Sequence, residues 1–184
     1  TLTRSLIIFG QGLNKSHPHI FPILDSILND DIDMFKISFN NMVYHSIKLY
    51  AKSFKSSVSL DQQIINFANL TNFVALKAGA LKKEQMLSGD MADIFSNLYL
   101  ALSVIYYHQN NNASKKLTDY IVSRLINENQ SKINKVIDNL GPERFLLQHM
   151  KEKVKVPSYC QEREIFKEIM NNQSILNEIK KNIY

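Results

Sequence analysis

Few residues in this chain have types and spacings that could support chemistry. Two histidines flank a proline at His17–Pro18–His19, and histidine is a common zinc ligand. A zinc site also needs a third and a fourth ligand at a suitable spacing, and the neighbouring sequence supplies none. We therefore interpret this segment as the turn that begins a helix and expect no metal site in the chain.

The other reactive residue types are equally isolated. Cys160 is the only cysteine, and no activating partner for a nucleophilic thiol can be identified. The acidic pairs Asp30–Asp31 and Asp90–Asp93 are typical of helix starts and surfaces rather than of a general acid and base. Gly10–Gln11–Gly12 has too few glycines for a phosphate-binding loop and follows no strand. The residues by themselves identify no catalytic site.

Composition favours an ordinary helical domain in a reducing compartment. Of the 184 residues, 45% are hydrophobic and 21% are charged, while glycine (5) and proline (4) are scarce for a turn-rich sandwich or barrel. A single cysteine excludes an intramolecular disulfide, so we expect a cytoplasmic protein, with peripheral contact to the inner membrane as an alternative. The net charge of +5 permits attraction to anions, but the lysines are scattered and no nucleic-acid motif accompanies them, so we expect no nucleic-acid partner. The chain lacks an initiator Met and opens in the middle of a pattern, as an excised fragment would.

Hydrophobic periodicity predicts an all-α fold: a helical bundle of about four long helices with additional short helices. No segment shows the strict alternation of a strand. The segment Asn29–Asp30–Asp31 is expected to supply the N-cap of the second helix, and Asp61 is the expected N-cap of the third. The predicted helices run from Pro18 to Leu28 and over residues 32–55, 61–76, 80–109, 114–140, 143–151, 161–171 and 174–183.

The same periodicity predicts which side chains form the core. The segment from Ala80 to Gln109 is the most regular, and we expect its apolar stripe to be buried. Core or interface packing explains Tyr99, Tyr106 and Tyr107 more simply than stacking on a cofactor. The stripe residues are Leu87, Met91, Ile94, Leu98, Ala101 and Ile105, and those of the second helix are Ile32, Phe35, Phe39, Met42, Val43, Ile47 and Tyr50.

Two stretches resemble a known enzyme family. The segment Leu2–Gly12, which reads LTRSLIIFGQG and continues to His17–Pro18, is similar to the segment that follows the catalytic glutamate in bacterial fatty-acid acyl-CoA dehydrogenases. A second stretch, from Gly79 to Glu84 and on through Leu87–Ser88 and Asp93–Ala101, resembles the C-terminal helical region of the same enzymes. The resemblance covers roughly the first 140 residues and thins after Gly141.

The resemblance implies an FAD-dependent oxidation of acyl-CoA to trans-2-enoyl-CoA, with electrons passing to an electron-transferring flavoprotein. The glutamate that would remove the α-proton falls upstream of Thr1, so the chain itself would hold no catalytic residue. At most Thr1 and Arg4 would contribute to the edge of the cofactor site, and Arg4 is equally well explained as a structural ion-pair partner. The fragment alone is therefore expected to be inactive and to hold no cofactor.

As a domain, residues 1–184 are expected to form one helical unit. Residues 1–28 resemble the end of the dehydrogenase C-terminal helical domain, and residues 29–184 form a C-terminal extension. We expect this portion to be non-catalytic and to serve subunit packing or assembly in a homo-oligomer. The alternative is a membrane- or partner-attachment module that uses the basic patch Lys151–Lys155.

Overall fold

The computed structural model describes residues 18–55, 59–75, 84–111, 113–155 and 157–183. These residues form helices and connecting turns without a strand, which confirms the all-α prediction. The helices are α1 (Ile20–Leu28), α2 (Ile32–Lys52), α3 (Leu60–Ala75), α4 (Gln85–Asn111), α5 (Lys115–Asn139), α6 (Arg144–Leu147), α7 (Tyr159–Asn171) and α8 (Gln173–Ile183), with a 3₁₀ turn at Gln148–Met150 after α6.

Polar side chains define where several helices begin. The carboxylate of Asp31 accepts a hydrogen bond from the backbone N–H of Met34 and caps α2, as predicted. Ser114 caps α5 in the same way. The prediction that Asp61 caps the third helix was wrong, because α3 begins one residue earlier and the hydroxyl of Ser59 accepts the hydrogen bond from Gln62.

α4 and α5 are the longest helices, with 27 and 25 residues, and they form an antiparallel pair. Two ion pairs fix their alignment: Lys132 Nζ lies 2.8 Å from Asp93 Oδ2, and Lys135 Nζ lies 2.7 Å from Asp90 Oδ2. The apolar stripe of α4 is buried against this partner, which confirms the prediction for that helix. Its buried members are Met91, Ile94, Leu98 and Ala101.

α3 packs on both members of this pair and completes a three-helix core. Leu70 and Val74 of α3 are fully buried, and the ring of Phe67 lies 6.0 Å from that of Phe95 on α4. Leu147 and Met150, from α6 and the 3₁₀ turn, close one end of this core.

α7 lies on the first half of α5 and is followed by α8. The capping box at Ser158 and Gln161 starts α7, where the two residues exchange side-chain to backbone hydrogen bonds. Glu168 of α7 accepts a hydrogen bond from the Ser114 hydroxyl at 3.0 Å, and Glu164 lies 3.4 Å from Lys116. α7 therefore runs antiparallel to α5.

Candidate functional site

α1 and α2 form a helical hairpin, and α2 packs on α3 of the three-helix core. Asp30, in the turn, has a φ of 51°, a left-handed conformation that aspartate tolerates better than most residues. Only Ser26 on α1 and Ser38 on α2 are buried within these two helices. The small serine side chains let the two backbones approach closely, so little apolar surface is enclosed between them.

The hairpin leaves large apolar side chains in solvent. Phe21 on α1 is 70% exposed and Tyr44 on α2 is 70% exposed, so the prediction that the whole apolar stripe of the second helix is buried was wrong for most of its members. Exposed apolar side chains that lie together mark interaction surfaces, so the hairpin is the candidate surface of this chain. We call the following set the hairpin surface: Phe21, Leu24 and Leu28 of α1, and Ile37, Phe39, Val43, Tyr44 and Ile47 of α2.

Charge is divided between the two ends of the hairpin. Asp30, Asp31 and Asp33 lie at the turn, whereas Lys48 and Lys52 lie near the opposite end of α2. The Asp33 carboxylate and the Lys36 ammonium approach to 3.6 Å, but both side chains are exposed, so this pair contributes little. The hairpin is therefore apolar along its length, acidic at one end and basic at the other.

His45 of α2 is partly buried beside His19, the residue before α1. Its ring centroid lies 5.1 Å from that of His19. Burial lowers the pKa of His45 below its usual value of 6.5, and the nearby His19 and the lysines of α2 lower it further. The folded hairpin therefore favours the neutral imidazole at this position.

At the base of the hairpin, a serine and a histidine meet in an arrangement that resembles a catalytic dyad. Ser53 Oγ lies 2.8 Å from His149 Nε2 of the 3₁₀ turn. The His149 ring stacks on Phe54 at 3.9 Å and meets Tyr50 edge to face at 5.5 Å. These contacts join the end of α2 to the segment that closes the core.

The hydrogen bonds around Ser53 and His149 indicate that this pair has a structural role. The Ser53 hydroxyl donates to the carbonyl of Tyr50 at 2.6 Å and accepts from Asn69 Nδ2 at 3.1 Å. With its proton on Tyr50, Ser53 Oγ accepts from Nε2–H of His149, and we assign the ring proton to that nitrogen from this network. A nucleophilic serine would instead donate to the histidine, and Ser53 is buried away from any substrate. Burial also lowers the pKa of His149, against an opposing effect of the Leu146 carbonyl.

Buried amide side chains lie along α3 and extend into the core. The sequence analysis considered apolar stripes and did not identify these residues. Gln63 Nε2 donates to the carbonyl of Ile126 at 2.7 Å and approaches Gln130 Oε1 at 3.4 Å. Gln130 Nε2 donates to Asn134 Oδ1 at 2.9 Å and to the carbonyl of Met150 at 3.1 Å. The signal was present in the sequence as amide side chains at helical spacing. These residues are Gln62, Gln63, Asn66 and Asn69.

Comparison with known proteins places this helical arrangement in a family. The family model described as "Acyl-CoA dehydrogenase, C-terminal, bacterial type" matches residues 59–184, which is more than half of the chain. The chain belongs to this family. No solved structure matches this chain.

The match extends the sequence resemblance in one direction. The resemblance thinned after Gly141, yet the matched range continues through α6, α7 and α8 to the end of the chain. The C-terminal third is therefore part of the acyl-CoA dehydrogenase C-terminal region. The α1–α2 hairpin lies before the matched residues.

Several residues singled out in the sequence have plain structural roles. Asp90 and Asp93 pair with lysines of α5. Cys160 is exposed on α7, with Sγ 3.9 Å from Glu164 Oε1. In the basic patch, Lys151 is paired with Asp138 at 2.7 Å. The attachment-module alternative, which depends on that patch, stays a prediction.

The aromatic series on α4 faces solvent. Tyr99 and Tyr106 are more than half exposed, and Tyr107 is less so. They do not belong to the core, and the interface alternative stays a prediction. Within the described ranges, no three His, Cys, Asp or Glu side chains are grouped so that they could hold a metal ion, and no helix combines the length and apolar character needed to cross a membrane.

The predicted cofactor contacts, Thr1 and Arg4, lie outside the described residues, as do His17 and Gly10–Gln11–Gly12. The family implies FAD in the full-length enzymes, so we tested whether the described residues fit a flavin. One groove between α5 and α7 has a volume of about 710 Å³, but charged side chains of both signs line it, including Asp119, Arg124 and Glu164. Ligand sites for a large aromatic ring are mostly apolar. This groove therefore does not fit a flavin.

Proposed function

We propose that this chain is the C-terminal helical portion of an FAD-dependent acyl-CoA dehydrogenase of fatty-acid β-oxidation. The full-length enzyme converts an acyl-CoA to a trans-2-enoyl-CoA and passes the electrons to an electron-transferring flavoprotein. Membership of the acyl-CoA dehydrogenase C-terminal family supports this proposal. The base that removes the α-proton belongs to a part of the polypeptide upstream of Thr1.

Within that enzyme, the described helices serve packing and assembly rather than catalysis. One observation carries this role: α1 and α2 bury only serines and expose aromatic and aliphatic side chains, whereas α4 buries an apolar stripe against α5. Covering apolar area stabilises an assembly by about 25 cal/mol for each Å² removed from water. A second surface that covers the hairpin surface would therefore stabilise the assembly.

The test uses the full-length enzyme and one charged substitution on the hairpin surface. Val43→Asp would introduce an unpaired carboxylate at the covered surface, so we expect loss of the native oligomer or of bound flavin. Ser131→Asp is the matched control, since Ser131 is exposed on α5 and the substitution adds the same charge away from the hairpin.

The readouts are light scattering after size exclusion, flavin per subunit and the rate of acyl-CoA oxidation. Circular dichroism verifies that both variants retain their helices. Native assembly, flavin content and turnover in Val43→Asp would overturn the packing role. Absence of acyl-CoA oxidation by the wild-type full-length protein would overturn the enzymatic assignment.

A further inference from the structure

The most informative feature of the hairpin surface is the arrangement of charge along it. On α2, the exposed apolar side chains Ile37 and Tyr44 lie seven residues apart and therefore on one face of the helix. Asp33 lies four residues before Ile37, and Lys48 lies four residues after Tyr44. Fifteen residues separate Asp33 from Lys48, so at about 100° per residue their side chains lie within roughly 60° of each other around the helix, on the face of Ile37 and Tyr44.

We propose that two copies of this chain associate through their hairpins, with α2 of one copy antiparallel to α2 of the other. This inference rests on the proposed packing function and names its partner. In a two-fold arrangement, residue i of one copy contacts residue j of the other, and j contacts i. With the axis between Asn40 and Asn41, Asp33 of each copy faces Lys48 of the other copy, so the same contact forms twice.

Charge favours this orientation over the parallel one. A parallel pairing places Asp33 beside its own symmetry mate and Lys48 beside its own, and like charges across an interface are unfavourable. The antiparallel pairing converts both contacts into attractions. It also brings the acidic turn, with Asp30 and Asp31, towards the basic end that carries Lys52.

The residues at the proposed centre fit a symmetric contact. Asn40 and Asn41 are exposed, and an amide both donates and accepts hydrogen bonds, so Asn40 of each copy can pair with Asn41 of the other. A polar residue at one position of an apolar helix interface fixes the register of the two helices. A second copy of this chain matches these features because the surface is complementary to itself.

The area available is that of an ordinary interface. Each of the eight side chains of the hairpin surface has an area on the order of 150–200 Å², of which about half is exposed. Together they offer roughly 600–800 Å² of exposed area per copy. A stable protein–protein interface of standard size buries about 800 Å² on each partner. The hairpin surface is therefore sufficient for a dimer without a contribution from the core.

Charge reversal tests both the partner and the orientation. Asp33→Lys places a second ammonium group against Lys48 of the other copy, and Lys48→Glu places a second carboxylate against Asp33. Each change is repeated by symmetry, so we expect either single variant to raise the dimer dissociation constant about tenfold at low salt. The double variant, Asp33→Lys with Lys48→Glu, restores both attractions and should return to the wild-type constant.

Sedimentation velocity on the full chain over a range of concentrations measures these constants. Lys115→Glu is the control, because Lys115 is exposed on α5 and the substitution changes the net charge as Lys48→Glu does. Weakening by the single variants with recovery in the double variant would support the proposal. Equal association of the wild type, both single variants and the double variant would overturn it.

Crosslinking provides a second, independent measurement. In a Cys160→Ser background, Asn40→Cys lies at the axis and should form a disulfide-linked dimer under mild oxidation. Ile32→Cys should not, since its symmetry mate would lie about 25 Å away. Crosslinking at both positions would indicate a parallel pair, and crosslinking at neither would exclude this register; either result would overturn the proposal.

The two proposals fail in different ways. Loss of assembly in Val43→Asp combined with no response to the charge reversals would mean that the hairpin surface packs on another part of the enzyme. The packing function would then stand and the antiparallel pairing would fall. If Val43→Asp had no effect, both the packing function and the antiparallel pairing would be overturned.

Discussion

The three-helix core and the α1–α2 hairpin distribute polarity in opposite ways. In the core, amides such as Gln63 and Gln130 are buried together with Ile133. In the hairpin, serines occupy the buried positions, and aromatic side chains such as Phe21 and Tyr44 face solvent. In the core, the side-chain nitrogens of Gln63 and Gln130 donate hydrogen bonds to neighbouring segments, while Gln63 Oε1 has no partner among the described residues. In the hairpin, many large apolar side chains are uncovered.

This difference shows which part of the chain is complete by itself. Buried amides are tolerated when they find partners, and those of α3 and α5 bond to each other and to backbone carbonyls. Exposed apolar side chains gain nothing until a second surface excludes water from them. The core thus accounts for folding, and the hairpin for association.

Truncating one apolar side chain in each region should give the largest contrast. Ile133 is fully buried, so Ile133→Ala should lower the free energy of unfolding by about 2–5 kcal/mol through lost burial and the cavity left behind. Val43→Ala, in the hairpin, should change it by no more than about 0.5 kcal/mol in dilute solution. Guanidinium unfolding of the full chain measures both. Equal losses would remove the distinction between the two regions.

Removing a buried amide from the core should have the next largest effect on the free energy of unfolding. Gln130→Leu leaves the carbonyl of Met150 and the Nε2 of Gln63 short of a partner, so we expect a loss of about 1–3 kcal/mol. Gln148→Leu makes the same chemical change at an exposed position and serves as the control. If Gln130→Leu were as stable as the wild type, the hydrogen bonds of the Gln130 side chain would contribute nothing to the stability of the core.

The smallest expected effect is on the pH dependence of stability, where the core and the hairpin should respond in the same direction. Burial lowers the pKa of both His45 and His149 below the ordinary value of 6.5. As the pH falls, the unfolded chain therefore takes up these protons first. The contribution to stability is complete above about pH 6.5 and is lost as the pH falls through the folded pKa values.

Unfolding measured between pH 7.5 and pH 5 checks this sign. His149→Phe should show a shallower decline than the wild type, because only His45 remains to contribute. NMR titration of the imidazole protons gives the two pKa values directly. A value above 6.5 for His149 would contradict the burial that the structure shows.

Sequence reasoning located the elements well because helices are set by local chemistry. The spacing of Met91, Ile94 and Leu98 predicted the buried stripe of α4, and the polar segment that ends at Asp31 predicted the start of α2. Asp61 misled because the neighbouring Ser59 can cap equally well. The choice between two adjacent caps depends on the turn before the helix.

The family and the helical class could be inferred from the sequence, because motifs and periodicity are local properties of the chain. Periodicity shows that a stripe is apolar, but it does not show what covers the stripe. α2 and α4 both carry apolar stripes, yet α4 meets the long helix α5 along its length, whereas α2 meets the short helix α1 and part of α3. Only the tertiary structure decides which stripe is core and which is surface, because burial depends on what the rest of the chain places opposite each helix.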